Sequence, residues 1–167
     1  MPDARVVAPG WYRWLWISLA VIALDQLTKH LILGALRLGE EKVLLPVLSV
    51  VLAFNPGAAF SFLAGEDGWQ RWLFTAIAIA ACGFMLWMLR RGGSAWLNAG
   101  LALIVGGALG NLYDRMTLGH VVDFIFVHYG SWTFPAFNVA DSAISVGAVL
   151  MLWAAFVGAR SKSDGAV

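Results

Sequence analysis

The sequence predicts an all-α integral membrane protein with four transmembrane helices and a small β-rich element between the first two, outside the cytoplasm. Apolar residues make up 60% of the 167-residue chain and charged residues only 13%. An ordinary soluble domain is about 45–50% apolar and about 25% charged. The chain also contains several uncharged segments whose length is close to the ~20 residues that a helix needs to cross a hydrocarbon core. A soluble domain of this size could not bury so much apolar surface, and so apolar a chain is not intrinsically disordered.

The first helix is predicted over residues 13–36. Its uncharged part, residues 14–24, is too short to cross a bilayer, so the span has to include Asp25 and Lys29. A cleaved signal peptide is the alternative for this segment. We disfavour it because no small-residue cleavage site follows the apolar run and apolar residues resume at Leu31.

Longer uncharged segments predict the other three helices. They cover residues 72–89, 92–113 and 142–159, and with their flanks they give helices over about 70–90, 95–114 and 139–160. The sequence shows no linker or internal repeat, so we expect one domain over residues 1–167.

Residues 38–68, between the first two helices, are predicted to be β-rich. The residues that break or turn this segment are Pro46, Asn55, Pro56 and Gly57. The valine-rich run 47–54 is typical of a strand, and residues 121–127 are a second short extended piece. Because open sheet edges are not tolerated in lipid, both pieces are expected at the bilayer interface or against protein.

Basic residues fall on one side of the predicted bundle. They are Arg5 and Arg13 before the first helix, Arg90 and Arg91 before the third, and Arg160 and Lys162 after the fourth. The positive-inside rule makes this side, with both termini, cytoplasmic. The net charge is only +1, so the chain has no basic excess for nucleic acid.

Polar residues of the spanning segments are predicted to gather in one layer near the outer interface. They are Asp25 and Lys29 of the first helix, Asn111 and Asp114 of the third, Asn138 and Asp141 at the start of the fourth, and Asp123 just before it. The first four lie about 18–28 Å along their helices from the cytoplasmic end. Since an ionisable residue in a span costs about 2.5–3.5 kcal/mol or more, each is a functional candidate.

Different roles are expected within this layer. Asp25 and Lys29 are four residues apart with the acid first, which favours an ion pair with a structural or substrate-orienting role. Asp114 is expected to pair with Arg115 or Lys29, and Arg115 could instead reach lipid headgroups. Both roles are mainly structural.

Asp123 and Asp141 differ from the other acids because no cation adjoins either in the sequence. Two carboxylates brought together share one proton, and such a pair can activate water against an amide carbonyl. The residues alone leave open the alternative that Asp141 caps a helix while Asp123 is an unrelated loop residue.

Other chemistries have weaker support. No HExxH or GxSxG motif is present. His120 and His128 flank Asp123, and solvated or hydrogen-bonded roles are favoured over metal binding. A serine paired with a base only in space stays open. The glycines Gly106 and Gly110, with Ala143 and Gly147 of the fourth helix, are expected to draw the third and fourth helices together.

Several ordered motifs resemble the bacterial lipoprotein signal peptidase family (signal peptidase II). They are residues 106–115, 122–124, 137–142 and 55–61, together with Asp25 and Lys29. The resemblance extends from the first helix to the fourth.

The resemblance implies a metal-free aspartic protease of the bacterial inner membrane, without a cofactor. It would cut diacylglyceryl-modified prolipoproteins before the lipid-bearing cysteine, near the periplasmic face. Asp123 and Asp141 would be its catalytic pair. The supporting residues would be Asn55, Gly57, Asn111, Asp114, Arg115, Asn138, Asp25 and Lys29. Its partners would be such substrates, membrane lipid and globomycin-type inhibitors, and we expect a monomer.

Three alternatives remain at this point. A small transporter or channel would use the charged layer as an ion path, although that class usually shows inverted repeats and midplane sites. A non-catalytic scaffold would use the same residues as structural ties. A different intramembrane aspartyl protease would use Asp114.

Overall fold

The computed structural model describes residues 7–57 and 69–164, apart from the side chains of Gln70 and residues 161–164. Four of its helices are long and apolar enough to cross a membrane. They are α1 (Leu15–Ala35), α2 (Trp69–Arg91), α3 (Ala95–Thr117) and α4 (Val139–Asp164). A 3₁₀ turn, Trp11–Trp14, precedes α1. The predicted fold class is confirmed, although α3 continues past Arg115 instead of ending at residue 114.

The two predicted extended pieces form one antiparallel sheet. Its strands, in spatial order, are β1 (Glu41–Leu45), β2 (Leu48–Asn55), β3 (Val121–Tyr129) and β4 (Trp132–Thr133). The register sets Ala53 of β2 opposite Asp123 of β3. Residues 58–68 of the predicted β-rich element lie outside the described residues.

The sheet is fastened to the outer end of α1 by a small apolar cluster. Leu52 of β2 and Val122 of β3 pack with Leu36, which follows α1, and all three are buried. Because side chains alternate across a strand, burying Val122 and its neighbours on both faces of β3 makes this strand the interior of the element. Asp123 is therefore held on the best-packed strand of the sheet.

Helix α3 lies at the centre of the bundle and contacts each of the other three. Its glycines let the neighbouring helices pack closely against it. The sequence predicted that they would all face the fourth helix, and this is only partly so. A Cβ at Gly107 would collide with the carbonyl oxygen of Ala140 on α4, and Gly100 lies against Gly147 in the same way.

The expectation that Gly106 packs against the fourth helix is wrong. A Cβ at Gly106 would lie 2.8 Å from the carbonyl oxygen of Ser18 in α1. Gly106 and Gly107 point about 100° apart on a helix, so adjacent glycines let two different helices approach α3. Gly110 faces both neighbours, since its added Cβ would meet Asp25 Oδ2 at 2.7 Å and Ala140 Cβ at 3.6 Å.

We expect Gly107→Ala to destabilise the protein by about 1–3 kcal/mol, because the new methyl group would push α4 away from α3. Thermal unfolding in detergent measures the change. The control is Gly83→Ala in α2, where an added Cβ meets nothing within 4 Å. Equal stability of the two variants would contradict the assigned packing.

Candidate active site

Helix α4 begins with a reciprocal hydrogen-bonded cap. The backbone N–H of Asp141 donates to Asn138 Oδ1 at 2.9 Å, and the backbone N–H of Asn138 donates to Asp141 Oδ2 at 3.3 Å. This is the capping-box arrangement, with aspartate in the acidic position. The helix N-terminus also favours a negative charge there. The turn that starts α4 therefore fixes the carboxylate of Asp141.

The same asparagine also contacts the second aspartate. Asn138 is fully buried, and its Nδ2 donates to Asp123 Oδ1 at 2.7 Å. Asn111 Oδ1 at 3.2 Å and the carbonyl oxygen of Val122 at 3.3 Å are further acceptors of that amide group. One residue thus bridges Asp123 and Asp141, which are 18 positions apart in the sequence.

Asp123 receives a second hydrogen bond from the neighbouring strand. Asn55 Nδ2 donates to Asp123 Oδ2 at 3.0 Å, while Asn55 Oδ1 accepts from the backbone N–H of Gly57 at 2.9 Å. Burial raises the pKa of Asp123 to about 7, and the negative charge of Asp141 adds to the rise. The donors on Asn55 and Asn138 act in the opposite direction.

Asp141 is held from α3 as well. Asn111 Nδ2 donates to Asp141 Oδ1 at 2.8 Å, and Asn111 Oδ1 accepts from Lys29 Nζ at 2.9 Å. Each aspartate of the pair is therefore bonded by two asparagines, and neither makes an ion pair within the described part of the chain.

The remaining acids of the layer, Asp25 and Asp114, both pair with Lys29. Its Nζ lies 2.8 Å from Asp25 Oδ2 and 2.7 Å from Asp114 Oδ2. The ion pair predicted from the spacing of Asp25 and Lys29 is present, and Asp114 pairs with Lys29, not Arg115. Asp25 Oδ1 also accepts from the backbone N–H of Ala140 at 2.9 Å. The buried ion cluster Asp25–Lys29–Asp114 therefore reaches the start of α4.

The sequence interpretation missed two members of this network. Gln26 Nε2 donates to Asp114 Oδ1 at 2.9 Å and to Asp25 Oδ2 at 3.2 Å. A polar residue beside Asp25 inside a span was the available signal. The backbone N–H of Ala140 gave no signal, because every residue except proline carries one.

Arg115 lies at the edge of the site, and most of its donors have no partner among the described residues. Its guanidinium lies 5.4 Å from the centre of the Phe74 ring, and its hydrogen bond to the carbonyl oxygen of Asn111 is a long one, 3.4 Å. Its Nε has no partner among the described residues. Phe74 also packs against Gly57, whose φ of 109° only glycine adopts readily. Phe74 had no distinguishing sequence signal.

A serine paired with a base in space does exist, on the sheet. Ser49 Oγ lies 2.9 Å from His128 Nε2, and Glu41 Oε1 approaches the same nitrogen at 3.9 Å. Ser49 is completely buried, so no peptide carbonyl can reach its hydroxyl. His120 stacks on Phe54 with ring centres 4.0 Å apart, and burial lowers its pKa.

The comparisons with known proteins follow this geometry. Residues 17–157 match the family described as signal peptidase (SPase) II. The chain belongs to this family. It is accordingly an aspartic peptidase of the signal peptidase II type. The matched range contains every candidate residue from Asp25 to Asp141.

Similar proteins agree over nearly the whole chain. A lipoprotein signal peptidase of Pseudomonas aeruginosa PAO1 is 53% identical, covering 99% of this chain and 97% of that protein. One from Pseudomonas syringae pv. tomato DC3000 is 48% identical with the same coverage. Two solved structures described as bacterial membrane enzymes match this signal peptidase II family member with TM-scores of 0.79 and 0.77 at 29% and 28% identity. They cover 90% of this chain and 91% and 96% of their own.

The raised pKa of Asp123 predicts a pH-dependent stability. An aspartate whose pKa rises from 3.8 to about 7 on folding keeps a proton that the unfolded chain has lost, so stability falls as pH rises through that window. Asp123→Asn removes the titrating carboxyl group, so this variant does not lose stability as the pH rises through that window. Relative to wild type, the variant should gain about 2–3 kcal/mol between pH 5 and pH 8. Thermal unfolding at both pH values measures it, and parallel pH dependences would contradict the assigned pKa.

Proposed function

We propose that this peptidase removes signal peptides from diacylglyceryl-modified prolipoproteins, cutting before the lipid-bearing cysteine, with Asp123 and Asp141 as its catalytic pair. One observation supports this choice of acids. Of the four acids in the polar layer, Asp25 and Asp114 are ion-paired with Lys29, whereas Asp123 and Asp141 are held by asparagines. Only the second pair is free to exchange a proton with a substrate.

The proposed reaction uses one proton shared by the two carboxylates. Two acids that share one asparagine as a hydrogen-bond partner cannot both ionise easily, so the pair titrates as a unit. The ionised carboxylate takes a proton from water, whose oxygen attacks the scissile carbonyl carbon. The protonated carboxyl group donates to the carbonyl oxygen. The carboxyl group that took the proton from water then donates it to the leaving nitrogen as the C–N bond breaks, and a hydroxyl proton of the tetrahedral intermediate returns to the other carboxylate.

The asparagines are proposed to hold the aspartates more than the substrate. Asn138 has three acceptors within reach of its two amide hydrogens, so it has none left for an oxyanion. Within the described part of the chain, Asn55 and Asn111 each keep one amide hydrogen without an acceptor. Arg115 has more such donors, and we propose that its guanidinium binds the carbonyl oxygen of the substrate and stabilises the charge that develops there.

The sheet is proposed to lie at the outer bilayer interface. The exposed apolar side chains of the sheet and its turns include Val43, Leu44, Leu45, Val47, Phe54, Tyr129 and Trp132, followed by Phe134. Tyrosine and tryptophan are typical of membrane–water interfaces. A lipid-anchored substrate would present its scissile bond at this depth, with both termini of the enzyme in the cytoplasm. One chain should suffice, because every proposed site residue comes from it, and globomycin-type inhibitors should compete with substrate for this site.

Asp123→Asn and Asp141→Asn should each abolish cleavage while leaving expression and membrane insertion intact. Each substitution removes the shared proton or its acceptor but keeps the side-chain shape. Purified wild type and variants are incubated with a diacylglyceryl prolipoprotein in EDTA, and cleavage is followed as a mobility shift. Asp25→Asn is the contrasting variant, and we expect it to lose more stability than chemistry.

Either of two results would contradict this proposal. Cleavage by the Asp123→Asn or Asp141→Asn variant would exclude these residues as the catalytic pair. If the folded wild type cleaves nothing, the non-catalytic scaffold and the transporter become the favoured interpretations again. A scaffold would tolerate each substitution if the hydrogen bonds survive, and asparagine can still accept one of the two that each aspartate accepts.

Arg115→Gln should lower kcat by about 10²–10³-fold, because the developing charge on the carbonyl oxygen loses its donor. Arg71→Gln is the matched control. Arg71 also joins α2 and α3, through a hydrogen bond of 3.0 Å to the carbonyl oxygen of Met116, but it does not contact the aspartates. Steady-state cleavage by both folded variants decides the point, and similar losses would argue against a specific role of Arg115.

A further inference from the structure

We propose that Lys29 is a positioning residue for Asp141, acting through the side-chain amide of Asn111. This inference rests on the proposed function, since it assigns how one member of the catalytic pair is held. It goes beyond the ion pairing of Lys29, which accounts for two of the three contacts of its ammonium group but not for the third.

The three N–H donors of Lys29 have three acceptors. They are Asp114 Oδ2 at 2.7 Å, Asp25 Oδ2 at 2.8 Å and Asn111 Oδ1 at 2.9 Å. Lys29 is only 1% exposed, so no bulk water substitutes for any of these contacts. An ammonium group donates and never accepts. The end of the Asn111 amide that faces Lys29 must therefore be the oxygen.

Fixing the oxygen of Asn111 also fixes its nitrogen. The Nδ2 group then points at Asp141 Oδ1, 2.8 Å away. A flipped amide would set NH₂ against the ammonium and C=O against the carboxylate, replacing two attractive contacts with two repulsive ones. Lys29 therefore determines that Asn111 donates to Asp141.

The other contact on Asn111 Oδ1 is weaker. Asn138 Nδ2 reaches that oxygen at 3.2 Å, but the same amide group is closer to Asp123 Oδ1, at 2.7 Å. Asn138 can thus support the orientation of Asn111 but its hydrogens are divided among several acceptors. The charged donor, Lys29 Nζ, lies 2.9 Å from Asn111 Oδ1 and makes the stronger hydrogen bond to it.

Lys29 also acts on the backbone beside Asp141, through Asp25. Asp25, with which Lys29 forms an ion pair, accepts a hydrogen bond from the backbone N–H of Ala140 at 2.9 Å. Ala140 precedes Asp141 directly. The ion cluster therefore holds the backbone of Asp141 through Asp25 and its carboxylate through Asn111.

The decisive variant is Lys29→Met/Asp114→Asn. Lys29→Met alone would leave two buried carboxylates without a cation and need not fold. The double variant keeps the cluster at its formal charge of −1, because Asp25, Lys29 and Asp114 sum to −1 and Asp25 alone is −1. It removes the ammonium group that orients Asn111 without changing the net charge near the catalytic pair.

We expect the double variant to lose about 10–100-fold in kcat with KM within about twofold of wild type. Cleavage of a diacylglyceryl prolipoprotein measures both constants per folded enzyme. The acid limb of the pH–kcat profile should also move to higher pH, because the ionised carboxylate of Asp141 loses a donor. A merely structural Lys29 would lower thermal stability and leave kcat and the profile unchanged.

A control variant, Gln26→Leu, disturbs the cluster but keeps the contact from Lys29 to Asn111. It removes the hydrogen bonds that Gln26 Nε2 donates to Asp114 and Asp25. This variant should keep kcat within a few fold. A loss equal to that of the double variant would overturn the proposal.

The Asn111→Ala background gives an independent check. If Lys29 acts through Asn111, adding Lys29→Met/Asp114→Asn to Asn111→Ala should lower kcat by no more than about a further twofold. If the kcat losses of Asn111→Ala and of the double variant multiply when the substitutions are combined, Lys29 does not act through Asn111 and the proposal is overturned. Failure of the proposed function is distinguishable, since it would appear as cleavage by Asp123→Asn or Asp141→Asn, whatever the Lys29 variants do.

Discussion

Four carboxylates are buried or half-buried at the outer end of this bundle, and among the described residues one buried ammonium group, that of Lys29, lies with them. A buried carboxylate is tolerated only when it is paired or hydrogen-bonded. Lys29 forms ion pairs with Asp25 and Asp114. Asp123 and Asp141 are left to neutral donors, the side chains of Asn55, Asn111 and Asn138. This division separates a structural pair of acids from a pair that can carry a proton.

The same constraint ties the fold together. Asp25 on α1 accepts from the start of α4, Lys29 reaches α3, and Asn138 joins the start of α4 to β3. Glycines of α3 let α1 and α4 come close enough for these contacts. Removing a partner from such a network leaves an unsatisfied polar group in an apolar setting, which costs more than the contact itself contributes.

Much of the fold and of the polar layer was predictable, because polar residues are easy to recognise within apolar membrane-spanning segments. Four apolar segments defined the helices, and the polar residues inside them marked one layer. The pairing of β2 with β3 was not predictable, since residues far apart in sequence set that register. The direction of Gly106 and the choice of Lys29 as partner of Asp114 depend on how the helices rotate about their axes, which hydropathy does not determine. The contact between Asp25 and Ala140 uses a backbone group that any residue carries.

In the proposed mechanism, water activated by two aspartates attacks the peptide bond directly. A single turnover in H₂¹⁸O with hydroxylamine present tests it, with mass spectrometry of the released signal peptide. Direct attack predicts ¹⁸O in the new C-terminal carboxylate and no hydroxamate. A hydroxamate at that terminus would reveal a covalent acyl-enzyme and contradict the account.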